Sequence, residues 1–270
     1  MDARIPVLLA TGTGLLVFLA NRSAFFPMSY PEGDWEAQSR IGAEDVWVRP
    51  GLHAWYKAAP QARCVTLFLH GNAGNVTHRA DTMVAITQAG ASVLMLDYRG
   101  YGRSSGWPTE RGLYQDAGDA YRYLLSQGWS ADQIIVHGES LGTTVAVDLA
   151  SRGKCAGVIL EAPFPSARAV AARVLPVLGP LLVWGFDAKS KIARLRAPLL
   201  VIHGDRDEVI DFALGRELFD AAPEPKQHWT IAGAGHNSIL YTAGPAYRER
   251  LRKFMMDACN VAVSSKSPRP

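Results

Sequence analysis

The sequence predicts an α/β fold, a mostly parallel twisted sheet with helices on both faces. Three observations predict it. Short apolar runs bounded by turn residues alternate with stretches of helical periodicity. The runs are apolar throughout instead of alternating with polar residues, the pattern of strands covered on both faces. The chain has 270 residues, 48% of them hydrophobic and 20% charged. That composition excludes a disordered, collagen-like or multi-span membrane chain, and its length fits one large α/β domain.

Residues 1–26 are read as an N-terminal membrane anchor or signal segment. Residues 5–20, IPVLLATGTGLLVFLA, are uncharged and flanked by Arg4 and Arg22. As a helix they span about 24 Å, short of a hydrocarbon core of about 30 Å. Continuing to Phe26, with Arg22 snorkelling to the interface, closes the gap. Three readings stay open: an uncleaved anchor, a cleaved signal and a buried helix.

Residues 27–263 are assigned to one domain. Residues 44–49 and 54–58 read as a hairpin around Pro50-Gly51. Strands follow at 64–69, 91–96, 134–137, 157–161, 199–203 and 227–232. Helices are expected at 76–89, 109–127, 141–152, 212–222 and 241–257. Residues 169–186, AVAARVLPVLGPLLVWGF, are strongly apolar but broken by Pro176, Gly179 and Pro180. They read either as a core helix pair or as a lid that contacts an acyl chain. Residues 264–270 read as a disordered tail.

Charge and cysteines narrow the function. Twenty-eight basic against 25 acidic residues leave +3, too little and too scattered for a nucleic-acid surface. Three cysteines, Cys64, Cys155 and Cys259, suit neither a disulfide framework nor a zinc site. Residues 100–106 resemble a dinucleotide fingerprint, but the last glycine is one position late and Pro108 blocks an immediate helix. No metal or organic cofactor is expected.

The chemistry-bearing motif is Gly138-Glu139-Ser140-Leu141-Gly142, a G-x-S-x-G set between a strand and a helix. A serine on that turn is lifted from the carboxyl edge of the sheet, and the glycines let strand and helix pack close beside it. A serine hydroxyl needs a base. His236, in the glycine-rich loop after the last strand, suits that role. His53 precedes the serine by far. His70, His137 and His203 end strands and suit strand caps or loop supports. His78 lies on a helix face and His228 starts a strand. The orienting acid should lie in the loop after residues 199–203, where Asp205, Asp207, Glu208 and Asp211 crowd together. Spacing does not choose among them. A tetrahedral intermediate needs two N–H donors. One is expected from Leu141 and the other from the loop His70-Gly71-Asn72-Ala73-Gly74-Asn75, with Asn72 the better candidate and Ala73 next.

The stretches LFLHGNAGN, LDYRGYGRSSG, VHGESLG, APLLVIHGDRDEVI, EPK and GAGHN resemble the α/β-hydrolase superfamily. The resemblance is to the single-anchor branch that includes membrane-associated protein depalmitoylases and bacterial hydrolases. They spread over residues 64–237. The resemblance implies the α/β-hydrolase fold and places the acid at Asp207, within H-G-x-x-D-x-V. It also implies a serine hydrolase of esters or thioesters acting on a small-molecule or lipid-like acyl substrate, anchored by its N-terminal segment. The depalmitoylases of that branch carry a cysteine-rich N-terminal segment, whereas this chain has no cysteine before Cys64. Two other functions fit parts of the pattern. One is a peptidase of the prolyl-oligopeptidase type, which would normally add a propeller domain. The other is a catalytically idle binding module.

Overall fold

A computed structural model of the chain describes residues 25–264. The anchor expected at 1–26 therefore lies almost wholly outside the described residues, as does the tail expected at 264–270, except Ser264, which ends the last helix. Among the described residues, no helix is long and apolar enough to cross a membrane.

Eight strands form the central sheet: β1 (Glu44–Arg49), β2 (Leu52–Lys57), β3 (Val65–Leu69), β4 (Ser92–Leu96), β5 (Ile134–Glu139), β6 (Gly157–Glu161), β7 (Leu199–Gly204) and β8 (Lys226–Ile231). Their spatial order is β8-β7-β6-β5-β3-β4-β2-β1. From β8 to β4 every pairing is parallel. β2 runs antiparallel to both β4 and β1, so the hairpin expected around Pro50-Gly51 caps one edge.

β3, at the centre, is apolar at every buried position except Thr66. Alternate residues of a strand point to opposite faces. Val65, Leu67 and Leu69 pack in one cluster with α3 (Glu110–Ser126), α4 (Leu141–Arg152) and α8 (Phe212–Ala221). Phe68 joins the other cluster, with α2 (Ala80–Gln88) and α10 (Pro245–Ser264). α1 (Ala37–Ile41) contributes Ala37 to this second face. Capping side chains fix several helix starts: Thr109 accepts from Gly112 N–H before α3, and Asp211 from Ala213 N–H before α8.

Two expectations need correction. The helix expected at 241–257 is two helices, α9 (Ile239–Ala243) and α10. Gly244, at φ 54° and ψ −133°, breaks them. Residues 169–186 are not a core helix pair. They form α5 (Ala167–Val174) and α6 (Gly179–Leu182), with Val174, Val177, Leu178, Leu181 and Trp184 each more than half exposed. α7 (Lys189–Ile192) then leads back to β7.

The chain leaves β3 for β4 on one side and, after β4, crosses to β5 on the other. The sheet thus reverses its winding at β3, and the loops at the carboxyl ends there border a crevice where ligands bind in open α/β sheets.

Candidate active site

The turn between β5 and α4 holds strained backbone. Ser140 has φ 51° and ψ −116°, a region that a residue with a side chain occupies only under strain of about 1–3 kcal/mol. The surroundings enforce it. A Cβ on Gly142 would lie 1.9 Å from the Leu69 carbonyl oxygen, and one on Gly138 2.4 Å from that of Gly142. Ser140 N–H donates to the Glu161 carbonyl at 2.8 Å. Strand, turn and helix are therefore pressed together, which only glycines at 138 and 142 permit.

Ser140, His236 and Asp207, far apart in sequence, come together. His236 Nε2 lies 3.0 Å from Ser140 Oγ, and His236 Nδ1 lies 2.8 Å from Asp207 Oδ2. The Asp207 side chain is fully buried. Its Oδ1 accepts from the N–H groups of Val209 and Ile210 at 2.9 and 2.7 Å. Its Oδ2 also takes His203 Nε2 at 3.2 Å. Burial alone would raise this carboxyl. The hydrogen bonds from His203, His236 and Ile210 outweigh it and hold Asp207 well below the usual carboxylate range. An ionised Asp207 only accepts, so His236 carries its proton on Nδ1 and turns the Nε2 lone pair to the serine hydroxyl.

The other three acids of that loop have different work. Asp205 accepts from Gly233 N–H, Glu208 from His236 N–H, and Asp211 caps α8. The structure thus separates four acids that spacing could not.

Sequence reasoning left two supports unassigned. His203, expected to hold a loop, backs Asp207. Glu161 accepts from Tyr247 Oη and lies 2.7 Å from His137 Nε2, all three buried beneath the turn. The strand-end positions of His137 and His203 were the available signal; their partners come from β6, α10 and the loop after β7.

Leu141 opens α4 directly after Ser140. Asn72 and Ala73 sit on the loop after β3, which lies over the turn: a Cβ on Gly71 would be 3.4 Å from Ser140 Cβ. Arg79 ties the two together. Its Nη2 and Nε reach the Glu139 carboxylate at 2.9 and 3.3 Å, and its Nη1 donates to the Ala73 carbonyl at 2.7 Å. Burial raises the Glu139 carboxyl, but Arg79 more than offsets it, so Glu139 stays ionised.

A cavity of about 330 Å³ opens against His236 and Asn237, lined also by Arg79, Glu139, Glu161 and Tyr241. A larger cleft of about 520 Å³ lies away from Ser140, beside α3 and the end of α4. Its arginines are paired with Asp116, Asp119 and Asp148, which suits packing, not chemistry. Among the described residues, no group of His, Cys, Asp and Glu is arranged to hold a metal ion.

The sequence family described as "Serine aminopeptidase, S33" matches residues 60–186. Human alpha/beta hydrolase domain-containing protein 17B is 37% identical over 205 residues, covering 74% of this chain and 68% of that protein. The mouse 17C protein is 38% identical over 203 residues, 74% of this chain, and the chain spans only 62% of its length. Among solved structures, an esterase of Pyrococcus furiosus superposes with a TM-score of 0.72 at 16% identity, covering 87% of this chain and 98% of that one. An α/β-hydrolase of Vibrio vulnificus gives 0.70 at 23% identity, covering 89% and 93%. These last two likenesses speak for the fold. With the sheet order, the strained serine turn and the 17B match together, the chain belongs to the α/β-hydrolase superfamily, in its alpha/beta hydrolase domain-containing branch.

Proposed function

We propose that this hydrolase cleaves carboxylic esters or thioesters through an acyl-enzyme on Ser140. The observation that carries the reading is the relay from Ser140 Oγ through His236 to buried Asp207, with contacts of 3.0 and 2.8 Å. Ser140 Oγ attacks the acyl carbonyl while His236 Nε2 takes its proton. The oxyanion is stabilised by the N–H groups of Leu141 and Asn72, at the N-terminus of α4 and on the loop after β3. His236 then gives the proton to the leaving alcohol or thiol. Water, deprotonated by His236, attacks the acyl-enzyme and frees the acid and Ser140. Asp207 fixes the imidazole tautomer and stabilises imidazolium in both halves.

The acyl group is proposed to be lipid-like. Val174, Val177, Leu178, Leu181 and Trp184 expose an apolar surface on the α5–α6 segment, more than a water-facing segment needs. The uncharged run at 5–20 supports an anchor that brings this surface to a bilayer. A second reading, amide hydrolysis, is favoured only by the aminopeptidase description of the matching sequence family.

The test is turnover by the full chain of p-nitrophenyl esters from acetate to palmitate, with aminoacyl p-nitroanilides alongside. We expect ester turnover that Ser140→Ala lowers by about 10⁴-fold or more, with an optimum at long chains. Wild-type turnover in Ser140→Ala removes the serine from the mechanism. Faster cleavage of the anilides moves the enzyme to the peptidases.

A further inference from the structure

The loop that bears Asn72 is bound on its outer side by the first described stretch of the chain. Phe26–Pro27 pairs in parallel with Ala73–Gly74. Met28 N–H donates to the Gly74 carbonyl at 3.2 Å, and Phe26 N–H to Asn72 Oδ1 at 3.4 Å. Asn75, fully buried, donates back to the Met28 carbonyl at 3.1 Å. The same arm is fastened to the loop after β4, where Gly102 N–H donates to the Met28 carbonyl at 2.9 Å.

Side chains complete the grip. Three successive carbonyls of the loop each take a donor. His70 Nδ1 lies 2.7 Å from the Gly71 oxygen. Tyr101 Oη donates to the Asn72 oxygen at 2.9 Å, and Arg79 to the Ala73 oxygen at 2.7 Å. In a trans peptide the N–H of the next residue points opposite to the carbonyl. Holding the Gly71 and Asn72 carbonyls therefore sets the direction of the N–H groups of Asn72 and Ala73. Burial pushes His70 down to about 4, so it is neutral at pH 7. A carbonyl only accepts, so the one ring proton sits on Nδ1.

We propose that Phe26–Met28 and Tyr101 are positioning elements of the active site: they hold the Asn72–Ala73 loop so that its N–H groups face the oxyanion formed at Ser140. The inference rests on the serine-hydrolase reading above. It makes the chain just after the apolar run at 5–20 part of the catalytic apparatus instead of a detachable tether. Phe26 acts through its backbone, since its side chain is 61% exposed.

The test uses full-length chains. Tyr101→Phe keeps the buried ring and deletes only the donor to Asn72. Met28→Pro deletes the N–H that reaches Gly74. Because one oxyanion donor is worth about 10²–10³ in kcat, its misplacement should cost about 10- to 100-fold in Tyr101→Phe and Met28→Pro. KM should stay within about twofold, fluorophosphonate labelling of Ser140 should slow in parallel, and the circular dichroism spectrum should be unchanged. Wild-type kcat in Tyr101→Phe overturns the proposal, as does a kcat loss matched by lost folded protein; if Met28→Pro does not fold, Tyr101→Phe decides alone. Failure of the underlying reading is a separate result, seen as Ser140-independent turnover.

Discussion

The serine turn and the α5–α6 segment follow neighbouring parallel strands, β5 and β6, and are built in opposite ways. At the turn, each glycine is backed by main chain, and each polar side-chain atom of Asp207 and His236 has a partner. In α5 no residue is buried, and the largest apolar side chains of 174–184 meet solvent. The fixed region suits a transition state, whose donors and bases must not shift by an ångström. The exposed region suits substrate choice, because loosely supported elements adapt and vary at little cost to the fold.

Two glycine substitutions break this comparison most sharply. Gly142 and Gly179 both face a carbonyl oxygen where a Cβ would sit, 1.9 Å from Leu69 and 2.3 Å from Ala171. The first contact lies between the central strand and α4, where neither side can move. Gly142→Ala should lower Tm by about 10 °C or more. The second lies between α5 and α6, which can separate without opening the core. Gly179→Ala should keep Tm within about 2–4 °C of wild type and change kcat/KM for long-chain esters more than for acetate. Equal losses of Tm would show that the two regions form one rigid body.

The same contrast governs what was legible in the sequence. Strands β3 to β7 are continuous apolar runs, so their positions were readable, and the bounds of α4 and β6 agree to the residue. Of the three side chains that the structure brings into contact, Ser140, His236 and the loop holding the proposed acid were singled out by local turn chemistry. The acid itself did not, because Asp205, Asp207, Glu208 and Asp211 differ in what they meet across the fold and not in spacing. Asp207 came from resemblance, and its burial supplies the physical reason. The α5–α6 segment was ambiguous because an apolar run with helix breakers reads alike whether it is covered or not. The helix break at Gly244 was missed because one glycine inside a helical pattern is usually tolerated. The grip of the N-terminal arm on the loop after β3 was illegible, since backbone pairing between two-residue strands leaves no pattern.

Acid should also separate the regions. His70 and His228 are pushed down to about 4, chiefly by burial. Their unfolded counterparts titrate near 6.5. Between these values the unfolded chain binds more protons, so stability falls as pH drops from about 6.5 to 4. Asp207 has the opposite charge logic and the same direction. Its carboxyl is held low in the fold, so its contribution is present above the ordinary carboxylate value of about 3.9 and is lost as pH falls further. All three groups lie in the sheet and its loops, and none on α5 or α6. Urea unfolding at pH 7.5, 6 and 5 should show a falling midpoint, with proteolysis of 174–184 unchanged until global unfolding. A midpoint flat across that range would mean that His70 is not neutral and buried, and would loosen the argument that its Nδ1 proton fixes the loop.

The smallest effect on stability, and the most informative for substrate choice, is expected at Val177. Its side chain is 75% exposed, so Val177→Ser removes almost no buried area and should shift stability by no more than about 0.5 kcal/mol. An acyl chain lying on that surface would lose contact with two methyl groups, at about 0.8 kcal/mol for each buried carbon. kcat/KM for palmitate should therefore fall about 4- to 15-fold, for one or both methyls in contact, while acetate, too short to reach, should be unchanged. An equal fall for both esters would place the effect at the serine turn and show that the exposed segment supports the chemistry. No fall for either would leave the apolar surface to another occupant, such as the bilayer that the run at 5–20 would enter.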